Sequence, residues 1–579
     1  MTSKNDQTAS GTRSSSDSGL TSFGRWMALT AALLGWMFDG AEMGLFSLLG
    51  RSAVTDLLTE YDRTQAANGA VGAAAATVDA KQADQTATHT ADKPVDEEAA
   101  KKEKAKREAR VGFWFGVIIA VFLVGAATGG VLFGWLGDRI GRVRAMSLSV
   151  ITYALFTGAC GLVTSPWQLA ILRFIASLGM GGEWALGVAL VMEVWPNRSR
   201  ALMAGLIGAA ANFGYLLVGF IGLGLSAILH HLHDGIVAIG ISAPTADWLT
   251  GHQGWRIMML LGTAPALLTF FFRMFVPESG RWLHQREEGV TSQWQSRDLL
   301  GVLIGGLGPA LIVTVWAAPY PAEWNPSLVA STRIIGTLIG LVVVTAGYTY
   351  PAYMFLKRTV GGLANEGSYE AGEVSRTVRR MWLAAGLAGV ALLGTWGSTQ
   401  WSSAWAAQLS NNMAGAREWT QIASSSGAII GTILAALCGD WLGRRWTYFL
   451  LCGLSMGSAL LFFQSNTEYS SQFLVTAFLA GMCTASFYGW LPLYLPELFR
   501  TSVRATGQGF GFNFGRILAA IGALQTGALM GLFKDGATWN GIHFTGGYPL
   551  ACSTMSMVYF LGMGLIWLAP ETRGQPLPE

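Results

Sequence analysis

The sequence predicts an all-α membrane protein built from two related six-helix bundles with two extra central helices, about 14 transmembrane helices in all. Only 13% of the 579 residues are charged and 51% are hydrophobic, whereas soluble domains usually carry about 25% charged residues. The charged residues are confined to segments that separate apolar runs, each long enough to cross about 30 Å of hydrocarbon. Two widely separated stretches of the chain also carry the same landmarks in the same order.

Each apolar run is expected to be a helix, because a helix satisfies its own backbone hydrogen bonds in lipid. In chain order the predicted spans are 26–50, 112–136, 145–165, 168–194, 202–229, 255–276, 299–318, 332–356, 381–408, 420–438, 446–464, 471–495, 505–533 and 548–569.

Three landmarks occur twice and identify the two halves. The pairs are Gly134–Arg144 with Gly439–Arg445, Glu193 and Arg200 with the equally spaced Glu497 and Arg504, and Pro277–Arg281 with Pro570–Gly574. Each half has six spans before its closing landmark. Two extra spans, 299–318 and 332–356, lie between the halves. Parallel repeats of this kind are typical of alternating-access transporters, which hold the substrate between the repeats.

The predicted organisation has four segments. They are a disordered cytoplasmic tail at 1–24, an N-terminal six-helix bundle at 25–283 with a polar periplasmic insert at 51–110, a linker with the two extra helices at 284–378, and a C-terminal six-helix bundle at 379–579. The insert is expected to be a soluble helical or disordered segment.

Lys and Arg residues in short loops set the expected orientation. They cluster on one side of the membrane, while the opposite short loops carry little beyond Arg417 and Lys534. The Arg-rich side is therefore assigned to the cytoplasm. This gives a multi-pass protein of the cytoplasmic (inner) membrane with both termini inside. The basic run Lys101–Arg110 departs from this pattern, since it falls in the long outer insert.

The landmarks resemble those of a known superfamily. Gly134–Arg144 and Gly439–Arg445 resemble the loop signatures of the major facilitator superfamily, and the two Pro-Glu endings resemble sugar-porter and metabolite-porter signatures. The stretch Gly179–Trp184, leading to Glu193–Pro196, resembles the proton-coupled sialic acid permeases. Those permeases also carry two extra helices between their halves. The resemblance implies the major facilitator fold and metabolite:proton symport.

Two acids lie inside the first span. Asp39 and Glu42 are three residues apart and therefore share a helical face. Placing a carboxylate at mid-membrane costs about 2.5–3.5 kcal/mol of insertion free energy, so such residues usually face the bundle interior and have a function. A proton site is one interpretation, and a structural ion pair with a neighbouring helix is the other.

The fourth span contributes Arg173 and, ten residues deeper, Glu183. The resemblance to proton-linked sugar carriers implies that Asp39 pairs with Arg173, since an acid of the first helix there pairs with an arginine of the fourth. Separating such a pair would load or unload a proton. Glu183 is a second candidate for proton or substrate contact, with a satisfied packing acid as the alternative.

Candidate substrate contacts lie in the second half. Arg516 lies inside a span, and the equivalent first-half position is near the uncharged Asn212. An arginine in the cavity would suit an organic anion, because guanidinium binds carboxylate in a bidentate manner. A salt bridge to another helix is the alternative. Asn513, Gln400 and Trp401 are weaker candidates.

The repeated charges at helix ends have a different expected role. They occur in both halves on the Arg-rich side, and we interpret them as a cytoplasmic gate. The members are Asp138, Arg139, Arg142, Glu193, Arg200, Asp440, Arg444, Glu497 and Arg504.

These features favour a secondary active transporter, not an enzyme. The leading hypothesis is proton-coupled symport of a small organic anion, sialate-like or another carboxylate. A neutral sugar or polyol porter is the alternative, and a membrane-embedded sensor or enzyme is a further one. With no Walker loop or metal motif, no cofactor is expected beyond the proton gradient. The expected partners are the small-molecule substrate and the lipid bilayer, with no nucleic acid, and the protein is expected to be a monomer.

Overall fold

The structure is a computed structural model that describes residues 22–78, 97–318, 320–321, 323–363, 372–539 and 541–578. Most of the predicted tail therefore lies outside the described residues. The helices of the first half are α1 (Ser22–Val78), α2 (Glu97–Ile140), α3 (Arg142–Ala159), α4 (Pro166–Val194), α5 (Arg200–Ala238), α6 (Ala243–Leu261) and α7 (Leu267–Phe275).

Three helices follow before the second half begins: α8 (Gly280–Glu287), α9 (Leu299–Ala317) and α10 (Pro326–Leu363). The second half contains α11 (Glu373–Gly397), α12 (Ser402–Leu409), α13 (Ala416–Leu442), α14 (Arg444–Ser465), α15 (Ser471–Thr484), α16 (Phe487–Tyr494), α17 (Arg504–Leu532), α18 (Tyr548–Ser556) and α19 (Val558–Leu565). A two-stranded antiparallel hairpin, β1 (Ala537–Trp539) and β2 (Ile542–Phe544), follows α17.

The all-helical membrane prediction is confirmed. Within the described residues, twelve helical segments are long and apolar enough to cross a membrane. Two further predicted spans complete the fourteen: 505–533, which forms the continuous helix α17, and 255–276, which is interrupted.

The interruption of the span 255–276 corrects the expectation of one continuous helix. The backbone of α6 first leaves the helical region just before this span begins, at Gly251–Gly254, with φ of 49° at His252 and 64° at Gln253. The interruption within the span comes later. A short 3-10 turn at Ala264–Ala266 then separates α6 from α7. Pro265 lies in that turn, and proline cannot supply the amide hydrogen that a continuing helix needs.

Besides 548–569, which divides into α18 and α19 at Met557, two spans of the second half are also broken. The predicted span 381–408 divides into α11 and α12, and the span 471–495 divides into α15 and α16. The breaks fall at 398–401 and 485–486. Broken helices at membrane depth are tolerated where the freed backbone lines a cavity, so these two positions indicate where a cavity lies.

The first helix extends far beyond its predicted end at residue 50. With 57 residues, α1 is about 85 Å long at 1.5 Å per residue, so part of it projects out of the hydrocarbon. Within the described part of the insert, the Nη1 and Nη2 atoms of Arg110 each donate to a carboxylate oxygen of Asp62 at 3.0 Å. The extension of α1 and the beginning of α2 therefore lie side by side as a helical pair.

A buried arginine attaches the α1 extension to the rest of the first half. Arg256 of α6 donates to Asp56 at 3.2 Å and to Glu60 at 2.9 Å. Trp255 donates to the same Asp56 carboxylate at 2.9 Å. Two acids that sequence analysis assigned to a polar insert are thus partners of a buried cation.

The central helix α2 packs closely on both sides because small residues occupy both of its faces. A Cβ at Gly129 would overlap the backbone of Leu178 in α4, and one at Gly130 would overlap Asn513 in α17. Close backbone approach through glycine is a common device of membrane helices. Through these contacts α2 joins its own half to the other.

The two extra helices pack against each other and meet the rest of the molecule mainly through α2. The Tyr348 hydroxyl of α10 lies 2.5 Å from that of Thr128 in α2. Their outer surfaces carry exposed apolar residues such as Leu303 and Val342. In a bilayer these faces contact lipid.

We expect Gly129→Ala to destabilise the protein and Gly116→Ala to leave it unchanged or slightly more stable. Both substitutions add one methyl group to α2 and raise helix propensity, but only the methyl at Gly129 meets a neighbouring backbone, whereas nothing lies within 4 Å of one at Gly116. Overpacking usually costs about 1–3 kcal/mol of unfolding free energy. Thermal unfolding in detergent, followed by tryptophan fluorescence, measures the difference. Equal midpoints for the two variants would contradict the close packing of α2 on α4.

Candidate functional site

A cavity lies between the two halves, beside the breaks that divide α11 from α12 and α15 from α16. Its central chamber has a volume of about 120 Å³. Aromatic and polar side chains from both halves line this chamber, among them Trp36, Asn212, Tyr215, Thr395, Trp396, Gln400, Gln421, Ser424, Tyr488, Phe512 and Arg516. No residue of α9 or α10 is among the described lining residues.

A second, smaller chamber of about 50 Å³, which we call the neck, adjoins the central chamber toward one end of the molecule. The neck and the central chamber share Met43, Ser47, Trp396, Gln400 and Ser403. Beyond the neck lies a vestibule of about 700 Å³. The neck and the vestibule share Arg51, Ala404 and Arg417. The vestibule, the neck and the central chamber therefore adjoin one another, in this order, from this end to the centre.

Arg516 provides a positive charge in the wall of the central chamber. The side chain is buried and lies over the Phe512 ring, with 5.3 Å between the guanidinium carbon and the ring centroid. Its Nη1 atom has no hydrogen-bond partner within the described part of the chain. Asp39, Tyr215 and Tyr488 are its electrostatic neighbours. A buried guanidinium with an unused donor suits a ligand that brings an acceptor.

Asp39 and Glu183 form a pair of carboxyl groups behind the α1 wall of the chamber. Both are buried, at 5% and 1% exposure, and their side chains contact each other. Glu183 also lies against the backbone of Gly35. Two ionised carboxylates this close together and away from water would repel each other strongly.

The structure corrects the expected pairing of Asp39 with Arg173. Arg173 forms an ion pair with Glu42 instead, and its guanidinium carbon lies 4.3 Å and 4.6 Å from the ring centroids of Phe46 and Phe122. The physical reason is the relative direction of the two helices. Since α1 and α4 run in opposite directions, the later acid of α1 meets the earlier residue of α4, and Asp39 meets Glu183.

The end of the molecule opposite the vestibule is closed by a cluster of buried charges. We call this cluster the latch; its members are Asp138, Arg142, Glu193, Arg504 and Thr506. Arg142 lies 2.7 Å from Asp138 and 3.2 Å from Glu193. Because the cluster is removed from water, each charge depends on its partners.

Several hydrogen bonds of the latch cross from one half to the other. Arg504 donates to Glu193 at 2.9 Å, and Arg142 donates to the Thr501 carbonyl at 2.9 Å. The backbone amide and hydroxyl of Thr506 donate to Asp138 at 2.8 Å and 2.6 Å. These bonds hold the two halves together at this end.

The closing landmarks bind back onto the loop landmarks in both halves. Glu278 accepts from the amide of Arg142 at 2.8 Å, and Glu571 accepts from the amide of Arg444 at 3.0 Å. The preceding residues are Gly141 and Gly443, with φ of 111° and 94°. A left-handed conformation of this kind explains why glycine stands at both positions.

The two glutamates differ in electrostatics. Burial raises the pKa of Glu278. Burial acts in the same direction on Glu571, but hydrogen bonds from the amides of Arg444, Arg445 and Arg573 outweigh it and lower the pKa of that carboxyl.

The comparisons with known proteins agree with this geometry. A family model described as "Sugar (and other) transporter" matches residues 28–296 and 329–577. The chain belongs to this transporter family. Its function is transport and not catalysis, as predicted. The match is interrupted at 297–328, a stretch that contains α9.

The relatives of this transporter are distant in sequence, but each alignment extends over most of both chains. It is similar to a putative metabolite transport protein of Haemophilus influenzae, with 24% identity over 463 residues that cover 80% of this chain and 88% of the relative. It is also similar to the cis,cis-muconate transport protein of Acinetobacter baylyi, with 25% identity over 425 residues that cover 72% and 80%.

A solved structure supports the fold of the transporter. It is that of the proton:xylose symporter XylE bound to 6-bromo-6-deoxy-D-glucose. The TM-score is 0.58 at 16% sequence identity, over 96% of this chain and 98% of that chain. This likeness confirms the predicted major facilitator fold.

The predicted substrate contacts of the transporter separate into two groups. Gln400 lines the chamber and donates to Ser47 Oγ at 2.7 Å, and Trp401 lines the neck. Asn513 does not line the cavity. It donates to the carbonyls of Gly181 and Gly509 at 3.1 Å, filling the space beside Gly130, so its expected substrate role is corrected to packing.

Three predicted gate residues of the second half, Asp440, Arg444 and Glu497, differ from their latch counterparts. Asp440 keeps 54% of its side chain exposed and lies 3.7 Å from Arg444, so it does not repeat the buried bonds of Asp138. Arg444 instead donates to Glu497 at 2.9 Å and 2.7 Å, within one half.

Arg200 and Arg139 complete the predicted gate set. Arg200 is buried and has an electrostatic interaction with Glu497. Arg139 donates to Ser296 at 2.9 Å in the linker, away from the latch bonds between the halves. Its expected gate role is corrected, because its position one residue after Asp138 turns it to another face of α2.

Sequence analysis missed Tyr215, Gln421 and Tyr488 as lining residues. One signal was available for Gln421: it stands with three consecutive serines inside an otherwise apolar span. The two tyrosines carry no such signal, since aromatic residues are common throughout membrane helices.

We expect Asp138→Asn to loosen the latch and Asp440→Asn to have little effect. The asparagine cannot replace an ionised acceptor of three hydrogen bonds, and hydrogen bonds to charged groups are worth about 1.5–3 kcal/mol each. Hydrogen–deuterium exchange in detergent should accelerate over the beginning of α17 in the first variant only. Equal exchange in both variants would show that Asp138 does not hold the two halves together.

Proposed function

We propose that this transporter carries a small organic anion together with a proton, by alternating access between the two six-helix bundles. The observation that carries the proposal is the buried guanidinium of Arg516 in the chamber wall, which has an unused Nη1 donor and lies near Asp39. Arginine at this position favours an anionic over a neutral substrate, because a carboxylate accepts from it in a bidentate manner.

The chamber also suggests which anions fit. Trp36, Trp396, Tyr488 and Phe512 offer flat apolar surfaces around Arg516. Such a site suits an unsaturated or aromatic carboxylate, and one of the relatives is a cis,cis-muconate transport protein. A sialate-like acid remains within the same proposal, since it too carries a carboxylate.

The coupling mechanism follows from the neighbours of Arg516. While the chamber is empty, the guanidinium stabilises a negative charge on Asp39. When a substrate carboxylate binds Arg516, it compensates that positive charge, and the Asp39–Glu183 pair then favours binding a proton. Substrate and proton thus assist each other's binding, and the assistance is reciprocal by thermodynamic linkage. The Glu42–Arg173 ion pair lies toward the neck and adds a charge contact that can open when α1 moves against α4.

The orientation and assembly belong to the same proposal. We place the latch end at the cytoplasm because the Arg-rich short loops lie there, in a monomer of the inner membrane with both termini inside. The vestibule then faces outward, and the closed latch corresponds to a state that receives substrate from outside. Release requires the bonds of Glu193 and Asp138 to the second half to break. In the proposed domain plan, the bundles at 25–283 and 379–579 move against each other while the linker helices remain peripheral.

A neutral sugar porter is the second candidate. The observation that favours it is the row of hydroxyl and amide groups in the chamber, including Thr395, Gln421 and Ser424. These groups suit the hydroxyls of a sugar.

Substitution of Arg516 distinguishes the two candidates. We expect Arg516→Ala to weaken uptake of acidic substrates by about one to two orders of magnitude, as the loss of about 1.5–3 kcal/mol implies. Arg516→Lys should lose less, since it keeps the charge without the planar fork. The measurement is uptake into proteoliposomes of labelled cis,cis-muconate, benzoate, sialate and xylose, with and without an imposed pH gradient. Equal losses for acids and xylose would favour the sugar candidate.

Coupling is tested at the carboxyl pair. We expect Asp39→Asn to abolish uptake driven by the pH gradient while substrate exchange persists, because the amide resembles a permanently protonated acid. Glu183→Gln should weaken coupling in the same direction. Counterflow and gradient-driven accumulation are measured on the same vesicles. Full accumulation by Asp39→Asn would remove Asp39 from the mechanism.

A further inference from the structure

The neck carries two arginines that the central site does not use. Arg51 comes from α1 in the first half, and Arg417 comes from the beginning of α13 in the second half. Both line the neck as well as the vestibule, and both are half-buried. They are close enough to interact electrostatically with each other, and both interact with Tyr548. Two cations from opposite halves thus stand at the passage into the centre.

The surrounding charges leave this passage positive. Among the described residues that line the vestibule, Glu418 is the single acid, and its side chain packs toward Gly222 of α5. His252 also lines the vestibule, and its imidazole lies 3.2 Å from Asp56. Glu418 interacts electrostatically with Arg417, but two arginines against one glutamate still leave the Arg, Lys, Asp and Glu residues of this lining with a net positive charge.

We propose that Arg51 and Arg417 form a second anion-binding site, where a carboxylate binds before it moves to Arg516. Two guanidinium groups in a half-buried passage repel each other. An anion between them attracts both, and these two attractions offset the repulsion. Arginine also presents a planar set of donors that matches a carboxylate. The carboxylate as natural occupant rests on the function proposed above, whereas the positive neck does not.

The position of this site gives it a second consequence. A bound anion bridges the two halves at the vestibule end, whereas the latch bridges them at the opposite end. Occupation of the neck therefore favours the approach of α1 to α13 and closure of the vestibule end. The neck shares Gln400, Ser403 and Trp396 with the central chamber, so an anion can pass inward without returning to the vestibule.

The test uses charged thiol reagents as probes. Ser403→Cys places a thiol beyond the two arginines with little change in shape. A sulfonate-bearing methanethiosulfonate reagent and a trimethylammonium-bearing one, both added from the vestibule side of proteoliposomes, are compared by their reaction rates. We expect the anionic reagent to react several-fold faster and the preference to decrease with ionic strength, because exposed charges are screened by salt. Protein without the Ser403 substitution supplies the background from the native cysteines.

Charge removal at the neck provides the decisive comparison. Arg51→Gln or Arg417→Gln, each in the Ser403→Cys protein, should abolish the preference for the anionic reagent. Arg63→Gln removes a charge from an exposed position of α1 that does not line the vestibule, and should leave the preference intact. Arg417→Lys should retain part of it. If a glutamine variant does not fold, the salt dependence of the Ser403→Cys protein still tests the proposal.

The outcomes separate this site from the central one. An unchanged preference after charge removal, or a preference that is insensitive to salt, overturns the neck site. Protection of the thiol of the Ser403→Cys protein by cis,cis-muconate, if it disappears in the Arg417→Gln background, supports carboxylate binding there. If xylose is transported and acids are not, the function proposed above fails, yet the reagent preference at the neck is still expected.

Discussion

The Glu193 carboxylate is the contact on which the arrangement of the two halves depends. It accepts from Arg142 of its own half, from Arg504 of the other half, and from Ser279 at 2.5 Å. A buried carboxylate that lost one of these donors would leave a charge without compensation, at a cost of several kcal/mol. The latch is therefore stable when complete and costly when partly broken, which favours two distinct states over a range of partly open ones.

The charged residues in and beside the cavity differ between the two halves. The first half supplies the acids Asp39, Glu42 and Glu183, while the second half supplies Arg516. Duplication provided two similar bundles, and the charges that bear on transport differ between them. In contrast, the turn landmarks at Gly141 and Gly443 are bound in the same way in both halves by Glu278 and Glu571. The repeated residues hold the turns of the scaffold, and the unrepeated charges are those for which we propose substrate and proton roles.

Much of the fold could be predicted from the sequence, because hydrophobic length and repeated landmarks are local properties. The partners of buried charges could not. Asp39 and Glu42 share a helical face, and the choice between them for Arg173 depends on how far α1 slides along α4. The role of Asn513 depended on which side of α17 meets the close-packed Gly130. The broken helices escaped notice because the breaks at 398–401 and 485–486 place only a few polar residues, Ser398–Gln400 and Ser486, inside long apolar runs.

The length of α1 has a mechanical meaning. Near its beginning, Trp26 meets Trp195 beside the latch, with ring centroids 5.1 Å apart. Farther along come Asp39, then Arg51 at the neck, then Asp56 and Glu60, which Arg256 anchors. From Asp39 to Glu60 is about 30 Å of continuous helix. Such a rod acts as a lever: a small tilt about its middle displaces both ends in opposite directions. A molecule bound to the part of α1 that projects outside the bilayer would therefore exert a torque on the latch end of the protein.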